Sequence, residues 1–241
     1  MKLIFHGMIT TVNLSNNMCG IYGSSSFEEF KTLYKLNISR GNFANSHLFI
    51  NNRGDFEVEK RQGETDYDIF NHHGDYNMFT GHTQSPTGKV RDYRYDTSHP
   101  FQTTNWIVSH NGVLNNHKQL VDQYIKHHDC DVDSSVIPAF MEHLTRGKPI
   151  KRNIELMDNV VKATLDHLSG TYSVTIYNKP NNLLYIARCG STLFYNPDGD
   201  TYSSVQSDNL EPVPECVLFR IYNKQFKKIT NLKNVSSFII F

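Results

Sequence analysis

Cys19 stands in the string Met18-Cys19-Gly20-Ile21-Tyr22-Gly23, where a methionine precedes a thiol and an apolar run follows it. Translation from Met18 followed by aminopeptidase trimming leaves Cys19 as the first residue of the working chain. A terminal cysteine carries nucleophile and base together, the thiol titrating near ~8.5 and the free α-amine near ~7.7–8.0. The amine then takes the thiol proton without a neighbouring histidine, as in N-terminal threonine nucleophiles. Read alone, Cys19 is equally a buried cysteine on a first strand, since free cysteine is among the most buried residue types. In Ser109-His110-Asn111-Gly112-Val113-Leu114-Asn115-Asn116, an asparagine amide and a glycine N–H can both face one developing oxyanion. Each such donor is worth roughly 10²–10³ in rate; a type I′ turn or a helix cap is the plain alternative. Gly81-His82-Thr83-Gln84-Ser85-Pro86-Thr87-Gly88 leaves a strand for a polar loop, suited to a small polar ligand or simply to a turn. Asp131-Val132-Asp133-Ser134-Ser135 is first an N-cap with acidic support for a helix dipole, and second a carboxylate able to grip an ammonium group.

These strings need a scaffold, and strand patterns are numerous. Residues 46–51 and 56–60 flank the turn Asn51-Asn52-Arg53-Gly54-Asp55, and 76–79, 106–110, 171–177, 183–187, 216–222 and 237–241 are further short apolar or alternating runs. Helical spacing appears over 27–36, 116–127, 134–144 and 153–168, punctuated by Gly147-Lys148-Pro149 and Ser169-Gly170. Strands, a helical middle and strands again do not alternate as a parallel α/β sheet does; two packed sheets with helices outside are expected. In 241 residues, 24 Lys+Arg balance 24 Asp+Glu, so neither a nucleic-acid nor a membrane-surface partner is expected. Cys19, Cys130, Cys189 and Cys216 are far apart with no Cys-x-x-Cys spacing, which gives neither a zinc framework nor an evident disulfide scaffold. A reducing, cytoplasmic setting fits. The histidine doublets His72-His73 and His127-His128 lack a ligand partner at helical spacing, so no metal is expected. Met1-Lys2-Leu3-Ile4-Phe5 begins like a signal sequence, but His6, Gly7 and Thr10 break it. Residues 1–18 are therefore expected to be a leader, a propeptide or a start codon placed too far upstream, with 19–241 a single unit.

Together, the order and spacing of these strings resemble the glutaminase domain of class II glutamine amidotransferases, which are N-terminal-nucleophile hydrolases. The matching strings are Met18-Cys19-Gly20-Ile21-Tyr22-Gly23, Ser39-Arg40-Gly41, Gly81-His82-Thr83, His110-Asn111-Gly112-Val113-Leu114-Asn115-Asn116, Asp133-Ser134-Ser135-Val136-Ile137, Ala187-Arg188-Cys189-Gly190-Ser191-Thr192-Leu193 and Gln206-Ser207-Asp208. The resemblance implies an α+β fold, a four-layer αββα sandwich of two antiparallel sheets between helices. It implies Cys19 as nucleophile with its own α-amine as base, and Asn111 with the Gly112 N–H as oxyanion donors. Arg40, Thr83, Gln84, Ser85, Thr87, His110 and Asp133 would surround the substrate, with Asp133 on the α-ammonium group and Arg40 supporting the pocket.

The implied reaction is attack of Cys19 on the side-chain amide of glutamine, loss of ammonia from a thioester, and hydrolysis to glutamate. No cofactor is implied. Ammonia is used beside a second active site, so a separately encoded synthetase or transferase subunit is the expected partner. One departure bears on the substrate. After Gly-His-Thr the best-known members carry an arginine for the substrate carboxylate, then an aromatic residue; Gln84 and Ser85 stand here. A charge-assisted hydrogen bond is roughly twice as strong as a neutral one, so affinity for free glutamine is expected to fall unless another cation, for which Lys89, Arg91 and Arg94 are near in sequence, takes that place. Rival readings are a hydrolase of the same fold for a γ-glutamyl or other small amide, a non-catalytic amino-acid-binding module that keeps residues 1–18, and a conventional Cys–His hydrolase.

Overall fold

A computed structural model describes residues 18–69, 73–85, 92–125, 128 and 131–233. Strands β1 (Gly20–Ser24), β2 (Ala44–Ile50), β3 (Phe56–Gln62) and β4 (Met78–Gln84) come first, with helix α1 (Phe27–Asn37) following β1. Strands β5 (Phe101–Gln102) and β6 (Trp106–Leu114) precede helices α2 (His117–Leu120), α3 (Val136–Thr145) and α4 (Ile154–His167). The chain then returns to strands β7 (Gly170–Asn178), β8 (Leu183–Cys189), β9 (Phe194–Tyr195), β10 (Tyr202–Ser203), β11 (Glu211–Pro212), β12 (Val217–Tyr222) and β13 (Gln225–Asn231). They form two antiparallel sheets, ordered β11-β9-β10-β1-β4-β2-β3 and β13-β12-β8-β7-β6-β5.

Period-2 alternation along the strands sets the layers. On β6, Trp106 and Val108 face the helices while Ile107 faces the other sheet; on β8, Leu183, Tyr185 and Ala187 face the helices while Leu184 and Ile186 face inward. On the first sheet Ile21, Leu48 and Ile50 point to the inter-sheet core, whereas Tyr22 and Phe49 point to α1. Three apolar layers follow: α1 on the first sheet, sheet on sheet, and α3 with α4 on the second sheet. This is the expected α+β, αββα sandwich.

The helices have local reasons to form where they do. Ser26 caps α1, its side chain accepting the Glu29 N–H, and Glu28 and Glu29 complement the dipole in the first turn. Asn153 caps α4 by accepting from the Leu156 N–H, and Met157, Val161 and Leu165 are fully buried against β7 and β8. The Arg220 guanidinium on β12 donates to both oxygens of Asp158 at 2.6 and 2.7 Å, tying α4 to the sheet.

Four expectations are corrected or fall outside the described residues. Asn111-Gly112 does not turn, because β6 continues through them and pairs with β7 as far as Leu114↔Gly170. The helix expected over 116–127 is the single turn α2 followed by a wider π-helical turn, Val121–Ile125. Cys189 and Cys216, 27 residues apart, form a disulfide, which no local spacing signals because it joins neighbouring strands β8 and β12. That bond removes the support that unpaired cysteines lent to a reducing, cytoplasmic setting. The strand expected over 237–241 lies outside the described residues, as do Thr87, Cys130, His72 and His127. Among the described residues no helix is long and apolar enough to cross a membrane.

Candidate active site

The inter-sheet layer changes character toward one end of the sandwich. Along the inner face of the second sheet, Ile107 gives way to Ser109 and Asn111, Tyr177 to Thr175, Ser173 and Thr171, and Ile186 to Arg188. A cleft of about 400 Å³ opens there, lined by Met18, Cys19, Asn111, Gly112, Thr171, Arg188 and Ser191 among others. Cys19 immediately precedes β1, and the other side of the cleft is β6 to β8. The two sheets thus bring together residues 92 positions apart in sequence, Cys19 and Asn111, which the sequence reading placed in one site.

Asn111 is 2% exposed, and its Nδ2 has no hydrogen-bond partner among the described residues. A buried amide left without an acceptor costs about 1–3 kcal/mol, so a donor in a cleft beside a thiol is suited to an arriving oxygen. Its position is fixed from behind: Ser173 Oγ and Ser191 Oγ donate to the Asn111 carbonyl at 3.4 and 3.2 Å. Gly112 has φ +148°, and a Cβ there would lie 2.0 Å from Thr171 O and 2.9 Å from His110 Nε2. Only glycine fits, and its lack of a side chain exposes the backbone to the cleft.

Cys19 is half-buried, and its sulfur lies 4.0 Å from Ser85 O. Burial pushes the thiol above its ordinary value; the Arg40 charge pulls it down and the Asp133 charge pushes it up again. The thiol therefore needs a base. Arg40 holds the cysteine backbone, Nε donating to Cys19 O at 2.9 Å and Nη1 to Ser204 O at 3.2 Å. The neighbouring Gly41 permits this approach, since a Cβ there would lie 2.5 Å from Ser85 N.

The other predicted residues are placed as follows. Asp133 opens a short 3₁₀ turn before α3; its oxygens accept from the Leu114 N–H at 2.8 Å and from the Ser134 N–H at 2.8 Å. It acts on Cys19 through its charge but does not line the cleft. His110 lies on the helix side of β6, Nδ1 2.7 Å from Ser134 Oγ and Nε2 3.3 Å from Thr171 O. Burial lowers its pKa, partly offset by Asp133. With both nitrogens engaged away from the thiol, His110 offers no Cys–His pair. Thr83 faces α1 and donates to Asn37 O at 2.9 Å, a structural tie. Gln84 is buried at the end of β4, its Oε1 without a hydrogen-bond partner among the described residues, and it does not line the cleft. Ser85 contributes its carbonyl. Among the proposed stand-in cations, Lys89 and Arg91 lie outside the described residues, and the exposed Arg94 pairs with Asp96.

Arg188 and Glu215 also line the cleft, and the sequence reading gave neither a role. Arg188 sat within a matching string, which was the available signal; Glu215 had none. His47, Glu57 and Glu59 bring possible metal-ligating atoms within 4.8 Å of one another on β2 and β3, outside the cleft, and Arg61 already pairs with Glu59.

No protein-family profile matches the chain. It is 27% identical over 157 residues to a glutamine–fructose-6-phosphate aminotransferase of Listeria monocytogenes, covering 62% of this chain and 24% of that protein. A Staphylococcus epidermidis protein of the same name is 26% identical over 204 residues, 80% of this chain and 32% of its own length. Among solved structures, a glutamine phosphoribosylpyrophosphate amidotransferase from B. subtilis superposes with TM-score 0.64 at 19% identity, covering 89% of this chain and 49% of that one. The chain is thus similar in sequence to glutamine–fructose-6-phosphate aminotransferases and in fold to a glutamine phosphoribosylpyrophosphate amidotransferase. It shares the two-sheet sandwich of that solved amidotransferase, and it spans about a quarter to a third of the length of the two curated aminotransferases it matches. In this sandwich Cys19, Asn111 and Gly112 line one cleft at one end of the inter-sheet layer.

Proposed function

We propose that the chain is the glutaminase component of a glutamine amidotransferase, with Cys19 as an N-terminal nucleophile. The observation that carries this reading is the convergence of Cys19 with Asn111 Nδ2, a buried donor with no partner among the described residues, across one cleft. Removal of residues 1–18 frees the Cys19 amine. That amine takes the thiol proton, and Sγ attacks the side-chain amide carbon of glutamine. The carbonyl electron pair moves onto oxygen, which rests on Asn111 and the Gly112 N–H. Collapse of this intermediate breaks the C–N bond, and the ammonium form of the amine returns its proton to departing ammonia. Water, deprotonated by the same amine, then attacks the thioester and releases glutamate and the thiol. Arg40 supports the geometry by holding the Cys19 carbonyl. Asp133, off the cleft and holding the Leu114 and Ser134 N–H groups, is proposed to attract the substrate ammonium through its charge, and a separately encoded synthetase or transferase is the proposed user of the ammonia. The relatives named as aminotransferases and amidotransferases support this reading.

The test combines intact mass with turnover. Chain beginning at Cys19 should release ammonia from glutamine and form a covalent adduct at Cys19 with a glutamine-like electrophile. Cys19→Ala should fold and release none. Activity retained by Cys19→Ala, or by chain still carrying residues 1–18, would remove the nucleophile and its base from the mechanism. Turnover that rises when a candidate acceptor enzyme is added supports ammonia delivery, and full turnover with no such effect counts against a partner. Gln84, which supplies no charge, favours one second reading, a small γ-glutamyl amide in place of free glutamine. Comparing kcat/KM for both classes of amide decides between them.

A further inference from the structure

A glutamine-like substrate brings its carboxylate into the cleft with it, and a carboxylate leaving water needs a paired cation. Gln84 supplies no charge and sits off the cleft. Among the described residues lining the cleft, the cation is Arg188.

Its position follows from strand register. Asn111 on β6 pairs with Ser173 on β7, and Ser173 pairs with Arg188 on β8. The three form one cross-strand row on the inner face. Adjacent strands lie about 4.8 Å apart, so the Asn111 and Arg188 backbones are about 10 Å apart. In glutamine the side-chain amide carbon and the carboxylate carbon are about 5 Å apart when extended, from bonds of about 1.5 Å. A substrate with its amide oxygen on Asn111 can therefore place its carboxylate toward the arginine side chain at the end of the same row.

Arg188 is also held ready. Its Nε donates to Val213 O, its Nη1 donates to Ser191 O at 3.2 Å, and Glu215 pairs with it at 3.0 Å. The guanidinium carries five N–H donors in a fixed fork. Those on Nη2 have no acceptor in the hydrogen bonds among the described residues, and the side chain keeps 20% exposure. The disulfide joins Cys189 and Cys216, the residues next to Arg188 and Glu215, so the pair rests on a covalently closed wall.

We infer that Arg188 binds the carboxylate of the substrate and thereby sets specificity for an α-amino-acid amide. This rests on the amide-hydrolase reading given above. Glu215 acts as a restraining counter-charge that holds the fork in place between turnovers.

The experiment compares chains beginning at Cys19, as wild type, Arg188→Gln, Arg188→Lys and Glu215→Gln. Substrates are glutamine and 4-aminobutanamide, the same molecule without its carboxylate. Arg188→Gln should raise KM for glutamine roughly 10- to 100-fold, the range for a charge-assisted contact, and leave kcat/KM for 4-aminobutanamide within about twofold. Arg188→Lys should fall between, and Glu215→Gln should lower KM for glutamine. Equal losses on both substrates would show that Arg188 only shapes the wall, and no change would remove it from recognition; either overturns the inference. If Arg188→Gln does not fold, the lysine and Glu215→Gln variants decide by the same split. Calorimetry of glutamine on the Cys19→Ala protein, with and without Arg188→Gln, reads binding without turnover. Failure of the wild type to release ammonia from any amide sinks the hydrolase reading. Glutamine binding to Cys19→Ala that does not depend on Arg188 sinks this one.

Discussion

Asn111 Nδ2 is where residue-scale chemistry is most exposed to test. If it stabilises an oxyanion, Asn111→Ala should lower kcat for amide hydrolysis by about 10²–10³ with little change in KM. Steady-state ammonia release measures this, and a loss confined to KM would reassign Asn111 to ground-state binding. The Cys19 thiol gives a second test. Burial raises its pKa, with Arg40 opposing, so iodoacetamide alkylation of chain still extended beyond Cys19 should reach half its maximum above the ordinary thiol value of about 8.5. Arg40→Gln should move that midpoint higher, and a midpoint below ~8 would contradict the electrostatics. At this scale the sequence was informative where residue type implies chemistry. A cysteine after methionine and an Asn-Gly pair both carry recognisable roles. Arg188 was not legible, because its role depends on sharing a row with Asn111 on strands 77 positions apart in sequence.

Strands β6, β7 and β8 form the site wall, and their ends are secured by different means. At the β8–β12 edge the Cys189–Cys216 bond closes a segment with a sequence separation of 27 residues. Loop-closure entropy for that length is about 3–4 kcal/mol at 25 °C. The double variant Cys189→Ser with Cys216→Ser should therefore lose about 3 kcal/mol of stability by urea unfolding and raise KM, since Gly190 and Glu215 line the cleft beside the bond. Unchanged stability would mean the reduced strands hold the wall unaided. Most elements could be read from alternation and helical spacing, including β6, β7, β8, α1 and α4. A turn was the plain alternative for the Asn-Gly pair, and continued pairing with β7 excludes it, since turn chemistry is local and the partner strand decides that this one runs on. Two-residue strands such as β9, β10 and β11 lack enough length for any alternation to register.

Across the whole molecule, three apolar layers surround a polar end that holds buried histidines. Burial depresses His82 to about 3, and also lowers His110. Between the unfolded value of about 6.5 and those folded values the unfolded chain binds more protons, so stability falls as pH falls. The contribution is fully present above pH ~6.5, and each histidine contributes a slope of at most about 1.4 kcal/mol per pH unit. The urea midpoint should hold steady from pH 7 to 8 and decline from pH 6 to 4, with a shallower decline in His82→Gln. A midpoint flat across that range would contradict the buried, neutral imidazoles. The sandwich itself was expected from strands, helices and strands in that order. Cys19, Asn111 and Gly112 were expected together at the polar end, whereas Arg188 and Glu215 were not, since their place follows from how two sheets stack rather than from any one segment.

Met18 lines the same cleft as Cys19 and is 42% exposed. On the proposed reading, the residue bonded to the Cys19 nitrogen therefore stands at the entrance that a substrate would use. Severing the Met18–Cys19 bond would unplug that doorway in the same stroke that uncovers the amine. The proposed cleavage would then couple two changes, access and a free base, in a single bond broken.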